Sequence, residues 1–293
     1  MAVLLVGGLI FLFTTLIVLI VYWMHLHEKA WAAALQAVAK KYGLTYEPGG
    51  WLSASKSEGI HEGRHICVDS YTVSTGKSSQ TFTRIVVKTQ LSRSLCIDSE
   101  GVMSSLKKAF GGDDVRVGDA KFDDKMLLNG NEVEVAARLD YRTRQLAYKA
   151  AKMGASLKGG EFKLTKSGKI TDQAKLLGMV GAIVDLANAL EHQGQSVNEM
   201  LLQNTLSDPK AGVRRRNLTL LLERVPQLPA NAIDQLLADT DVVVRLTIAE
   251  VVGESAFPVL KEIAEDQSLS TNRRGRAIVL LARHCQAIAE AVQ

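Results

Sequence analysis

The sequence predicts an α+β protein built from an N-terminal transmembrane helix, an antiparallel β-rich mixed domain and a C-terminal α-solenoid. Three observations predict it. Ala2 to Met24 carries no charged side chain; Leu44 to about Asn131 breaks into short β-like runs separated by Gly, Asn, Asp and Ser; and the last third is almost continuously helical with an internal period. With 293 residues, 47% of them hydrophobic and 23% charged, the chain is neither disordered nor fibrous. A formal charge of +4 is too small for a uniformly basic nucleic-acid-binding surface. Cys67, Cys96 and Cys285 are too few and too scattered for a disulfide framework, and their odd number fits a reducing compartment.

The first element is the anchor, residues 1–27. Its run VLLVGGLIFLFTTLIVLIVYW is long enough, at about 1.5 Å per residue, to cross a hydrocarbon core of roughly 30 Å. Tyr22 and Trp23 stand at its end, where amphipathic rings favour the interface. No Lys or Arg precedes the run, and it exceeds the roughly 7–15 apolar residues of a secretory signal, so it is read as a retained helix. Lys29, Lys40 and Lys41 follow it. Basic residues are retained on the cytoplasmic side, which predicts a short external N-terminus and cytoplasmic soluble domains. No second apolar segment of comparable length is read, so a single span is expected.

Residues 28–43 form a separate juxtamembrane helix in this reading, with Trp31, Leu35, Val38 and Tyr42 at helical spacing and Gly43 as its stop. The mixed domain, 44–194, follows. Its candidate strands are WLSASKS, RHICVDSYTVS, TFTRIVVKTQL, SLCIDS, VRVGD and KMLLNG, with Glu62-Gly63 and Gly76-Lys77-Ser78-Ser79 as hairpin turns. Met103 to Phe110 reads as a helix between strands, and a second helical stretch runs from Asn131 to about Met153. A small strand pair flanks Gly159-Gly160. Thr171 is the expected cap of a long helix with Leu176, Leu177, Val180, Ile183, Val184, Ala187 and Leu190 on its apolar face. Gly194-Gln195-Ser196 is the candidate linker to the helical repeat domain, 195–293.

Charge concentrates between Arg142 and Lys175, where Arg142, Arg144, Lys149, Lys152, Lys158, Lys163, Lys166, Lys169 and Lys175 face only Glu161 and Asp172. Solvation of a helix and a hairpin explains such a run. A domain tethered beside an anionic leaflet would also use the first eight of these residues as a membrane-surface contact, at about 1 kcal/mol per cation that reaches it. No aromatic stacking platform accompanies the charge, so no nucleic-acid partner is expected.

A 31-residue period organises the helical third. Leu206-Ser207-Asp208-Pro209 leads to Val213-Arg214 and then Leu218, Leu221 and Leu222; Leu237-Ala238-Asp239 leads to Val244-Arg245 and then Ile248, Ala249 and Val252. A third, degenerate unit follows Phe257-Pro258 and has Arg274 at the arginine position. This arrangement resembles HEAT repeats, helix pairs in which an Asp-rich turn precedes a Val-Arg opening the second helix. The resemblance implies structural roles for Asp208, Arg214, Asp239 and Arg245: each Asp capping the new helix, each Arg bridging to the Asp of the adjoining turn. It also implies a scaffold for protein partners, in line with 11 basic against 12 acidic residues in 195–293. Residues 44–193 resemble, more weakly, the β-rich soluble portion of single-span bacterial membrane proteins, through Phe122-Asp123 to Val135-Ala136 and Asp140-Tyr141-Arg142-Thr143-Arg144.

Catalytic signatures are absent from the sequence. His61, His65 and Cys67 suit zinc chemically, but the Glu62-Gly63 turn sets the histidines on opposing strands. The acidic run of Asp113, Asp114, Asp119, Asp123 and Asp124 lacks a calcium-loop ladder and reads as turn residues. Arg214-Arg215-Arg216 leaves two arginines for the surface once Arg214 is used internally. There is no phosphate loop, dinucleotide fingerprint or nucleophile elbow. The expected function is a membrane-anchored adaptor or scaffold at the bacterial inner membrane, recruiting or assembling protein partners through 195–293, with no catalysis and no cofactor. The alternative is a membrane-tethered sensor holding a small apolar ligand or lipid in a β-domain pocket lined by Ile85, Val87, Leu95 and Ile97.

Overall fold

Helix α1 runs unbroken from Ala2 to Tyr42, 41 residues and about 60 Å. The anchor and the juxtamembrane helix are thus one element, because the sequence offers no Pro, and no Gly between Gly8 and Gly43, to interrupt it. Gly43 ends it with φ +65°. Beyond the span the expected face is buried: Trp31, Leu35, Val38 and Tyr42 all lie in the core.

The computed structural model describes residues 2–50, 53–99, 114–191 and 194–291. The expected helix Met103 to Phe110, and Trp51 and Leu52 of the first candidate strand, lie outside these. Contacts group the chain into two compact units, Met1–Ser99 with Leu146–Glu191, and Glu100–Gln145 with His192–Gln293. Each unit is therefore assembled from two separated stretches of the chain.

In the first unit the strands are β1 (Thr45–Glu47), β2 (Lys56–His61), β3 (Arg64–Ser74), β4 (Ser79–Lys88) and β5 (Cys96–Ser99), then β7 (Ala155–Lys158) and β8 (Glu161–Ser167). They lie in the order β1-β2-β3-β4-β8-β7-β5, and each adjoining pair is antiparallel. Glu62 and Gly63 turn β2 into β3, with φ +48° and +78° and His61 opposite Arg64, the backbone that a two-residue hairpin twisting with its strands demands. Period-two alternation buries Ile66, Val68, Ile85, Val87, Phe162 and Leu164. The buried face of α1 and helix α5 (Gln173–Glu191) complete this core.

Helix α5 starts differently from expectation. Asp172, not Thr171, caps it: its carboxylate accepts from the Lys175 amide at 3.0 Å, and a carboxylate near the free N–H groups of a first turn is the stronger acceptor. By length and composition α5, with mean hydropathy 1.2, passes the same test for crossing a membrane as Phe11–Tyr42 of α1, with 1.5. The single-span reading missed it. Half of its most apolar stretch is buried, whereas none of that of α1 is, so α5 is a core helix and α1 carries an exposed apolar surface from Phe11 to Leu26.

In the second unit the described elements are α2 (Ala120–Asp123), β6 (Met126–Asn129), α3 (Glu132–Arg138), and the paired helices α6 (Val197–Ser207) and α7 (Ala211–Leu222), α8 (Ala230–Leu237) and α9 (Val242–Val252), α10 (Phe257–Glu265) and α11 (Thr271–Ala291). Helix α4 (Tyr141–Lys152) has residues in both units. VRVGD is not a strand. The helix expected from Asn131 to about Met153 is two, because Asp140 accepts from the Thr143 amide at 2.6 Å and opens a new helix there. Ser196 and Glu199 form a reciprocal capping box at the start of α6. Leu201, Leu218, Leu221, Leu236, Val244 and Ile248 make one core of this unit, and Leu246, Leu260, Ile263 and Leu280 continue it along the array.

Trp31 is fully buried and its indole N–H has no partner. Trp31→Ala is expected to destabilise the first unit by about 3–5 kcal/mol. Trp31→Phe, which removes the unsatisfied donor while keeping an aromatic ring, is expected to cost under half as much; thermal unfolding of the full chain in detergent checks the ranking.

Candidate functional site

Arg144 lies at the centre of the second unit's polar interior. Its side chain is fully buried, so it is not the membrane contact that its place in the basic run from Arg142 to Lys175 suggests. Nε donates to Asp119 at 3.2 Å, Nη1 to Asp208 at 2.8 Å and to the Leu139 carbonyl at 2.8 Å, and Nη2 to the other Asp208 oxygen at 3.1 Å. The guanidinium fork thus meets Asp208 bidentately, which lowers the cost of burying both charges. Asp208 also accepts from the Lys210 amide at 2.9 Å, forming the turn into α7.

The same contacts recur down the chain. Arg214 donates through Nη1 to the Asp208 carbonyl at 2.9 Å and through Nε and Nη2 to Asp239 at 2.8 and 2.6 Å. Asp239 in turn accepts from the Asp241 amide at 2.6 Å, as Asp208 does from Lys210. Arg245 sits 31 residues beyond Arg214 and pairs with Glu262 at 2.9 Å, a carboxylate of the next helix rather than of a turn. Arg214 thus bridges to the turn between α8 and α9. The caps differ from expectation: Asp208 and Asp239 spend their carboxylates on arginines and turn amides, and α9 is capped by Asp241, which accepts from Val243 and Val244. Arg215 pairs with Asp241 and Arg216 with Glu132, so all three consecutive arginines are engaged inside the unit.

Glycine is required beside the ladder at one close approach. The backbones at Gly118 and Gly212 touch so closely that a Cβ on Gly212 would stand 2.2 Å from the Gly118 carbonyl oxygen. Asp123 holds the loop before it by accepting from the Val117 and Gly118 amides, both at 3.0 Å. Burial raises the Asp123 carboxyl above its ordinary value, and those two amides offset part of the rise. Asp114 accepts from the Leu128 amide. Asp113 lies outside the described residues.

Two clefts open beside the ladder. One, of about 310 Å³, is lined by Leu206, Asp208, Arg214, Gln235, Asp239 and Thr240 among others. The next, of about 430 Å³, is lined by Asp234, Leu237, Arg245, Val259 and Glu262, and the two share Ala238. Arg245 Nε is buried there without a partner.

In the first unit the remaining predicted cations spread out. Lys149, Lys152, Lys158 and Lys163 are exposed, Lys166 is half-buried, and Lys169 ion-pairs with Glu28 of α1 at 2.5 Å. Arg142, in the second unit, is exposed. Lys158 precedes the Gly159-Gly160 turn and Lys169 follows the opposite end of β8, so about 20 Å of strand separates the ends of this run. Tyr22 and Trp23 are exposed on α1, and Trp23 lies 5.4 Å from His27, ring to ring.

His65 pairs with Glu58 at 2.8 Å and His61 packs edge-on against Tyr42, while burial pushes the Cys67 thiol up to about 11. Among the described residues no group of three or more His, Cys, Asp or Glu is placed to hold a metal. Ile85, Val87, Leu95 and Ile97 are buried core residues. None of the four lines the clefts described.

No protein-family model matches the chain, and no curated protein matches it. Among solved structures, the mycobacterial trehalose monomycolate transport factor A, TtfA, is similar at 16% identity and a TM-score of 0.34, over 56% of this chain and 94% of that one. So low a score carries no inference about this chain.

Arg144→Ala would leave Asp119 and Asp208 buried with no cation between them. It is expected to cost the second unit about 3–5 kcal/mol, read as a lowered midpoint of helical circular dichroism in a denaturant or thermal scan. Gly212→Ala is expected to lower the same midpoint through backbone displacement. Arg215, with smaller help from the Val244 and Val243 amides, holds the Asp241 carboxyl below its ordinary value. A carboxyl depressed in the folded state contributes stability above its unfolded pKa, about 4, and loses it as pH falls through the folded value. Unfolding scans between pH 6 and pH 2 should therefore show a steeper acid loss for the native chain than for Asp241→Asn.

Proposed function

We propose that this chain is a membrane-anchored scaffold: the apolar part of α1 holds it in a membrane, and the paired helices of the second unit dock a protein partner. The observation that carries this reading is the pair of consecutive clefts sharing Ala238, each set against one arginine of the 31-residue repeat, Arg214 and Arg245. A repeated concavity of this kind accommodates an extended partner segment, which can meet equivalent groups at each step. The helix, Asp-turn, helix order and the Arg214–Asp239 bridge support a short HEAT-like array as its basis. Arg245 lines the second cleft together with its partner Glu262, so the cleft presents both charges to a docked segment.

Lys29, Lys40 and Lys41 all follow the span, which supports the bacterial inner membrane with the soluble units on the cytoplasmic side.

A photocrosslinking residue placed at Asp234 and, separately, at Ala238 of the full chain in native membranes tests this reading. Both positions are exposed and line the cleft, Asp234 on α8 and Ala238 just beyond its end. The same discrete protein adduct is expected from both and not from Lys158 of the first unit. Adducts indistinguishable from those at Lys158, or none at either cleft position, would contradict it.

A further inference from the structure

The first unit has a groove of its own where α1 leaves its apolar stretch. It has a volume of about 430 Å³ and is lined by His25, Glu28, Lys29, Ser53, Ser55 and Lys169, with Tyr46, Pro48 and Ala54 as its less polar wall. Its depth is set by α1. Glu28 lies five residues past Trp23, about 8 Å along the helix axis. With Tyr22 and Trp23 at the interface, the groove falls in the headgroup layer.

Its electrostatics are asymmetric. Lys29 and Lys169 face a single carboxylate, Glu28, leaving one net positive charge before His25 is counted. Glu28 accepts from Lys169 Nζ at 2.5 Å and fixes where that ammonium stands. An ammonium carries three donors, so the pair leaves further donors on Lys169 for a second acceptor. On the less polar wall the Gly50 amide donates to the Ser53 carbonyl at 2.9 Å and to its hydroxyl at 3.1 Å. The Lys169 side chain is only 22% exposed, so it is positioned rather than free to sweep the surface.

We infer that this groove binds the phosphate of an anionic phospholipid headgroup, with Lys29 and Lys169 as its cationic ligands and the serine hydroxyls meeting the polar head. A lipid reaches the groove from the leaflet that α1 crosses, with its acyl chains beside the exposed apolar side chains of α1. Phosphate supplies further acceptors for the ammonium groups of Lys29 and Lys169, and an anionic head matches the net charge. The site rests on the membrane anchoring by α1 proposed above and is independent of the protein-docking clefts.

The test is native mass spectrometry of the full chain in detergent, titrated separately with phosphatidylglycerol, phosphatidylcholine and inorganic phosphate. One tightly held phosphatidylglycerol per chain is expected, with phosphatidylcholine weaker and millimolar inorganic phosphate unable to displace it. The double variant Lys29→Gln/Lys169→Gln is expected to weaken phosphatidylglycerol about ten-fold. Lys169→Arg, which keeps the charge and the partner for Glu28, is expected to retain it. Lys158→Gln/Lys163→Gln, whose residues stand toward the far end of β8, is expected to change nothing. Unchanged binding in the groove double variant would overturn the assignment. So would an equal loss in the far pair, which would mean diffuse attraction, or inorganic phosphate competing on equal terms, which would mean a soluble-anion site.

Discussion

The continuity of α1 is the constraint on which the first unit depends. One helix exposes apolar side chains from Phe11 to Leu26 and then, without a break, buries Trp31, Ala34, Leu35 and Val38 in a protein core. A helix that changes solvent midway transmits its position in one medium to the other, since 1.5 Å per residue leaves no slack. Ser57 donates to the Leu35 carbonyl at 2.8 Å, and Glu28 receives Lys169, so both an early strand and the end of β8 are registered against the same helix. The position of the sheet along α1 is thereby fixed by contacts made at two separate points of the helix.

The second unit is organised by charge rather than by a helix. Arg144, Asp119 and Asp208 are all buried, an arrangement whose desolvation cost is offset only because every guanidinium N–H direction used finds an oxygen. Arg214 repeats the device one step on with a partly exposed pair, and Arg245 repeats it with a carboxylate that is mostly exposed. Burial of the ion pairs therefore declines along the array. The clefts proposed for a partner lie at Arg214 and Arg245, beyond the fully buried rung, where a side chain can be desolvated by a partner instead of by the fold.

Much of this was legible in the sequence, and the exceptions have physical reasons. Strand β3 was read to the residue, because RHICVDSYTVS alternates cleanly between two bounded turns. The 31-residue period marks out the helix pairs, and the bridge from Arg214 is what the HEAT resemblance implies. Arg144 is not legible in this way, since its partner Asp208 is 64 residues away and it lies outside the period. The capping box at Ser196 and Glu199 was visible as a spacing but was read as a linker. The groove at Glu28 could not be read at all. It depends on Lys169 meeting a helix 141 residues earlier, a contact made by sheet topology and not by any local pattern.

Depth measurement in a bilayer tests the central claim, that α1 passes unbroken from lipid into the core and so holds Lys169 at headgroup level. The full chain, with its three native cysteines replaced, would be reconstituted in vesicles and labelled with a fluorophore through Lys169→Cys or Lys158→Cys, and quenched by spin labels attached to lipid headgroups. Strong quenching at 169 and little at 158 is the result the account requires. Equal quenching at both, or stronger quenching at 158, would mean that the helix bends at the interface and that the sheet lies in some other orientation to the membrane.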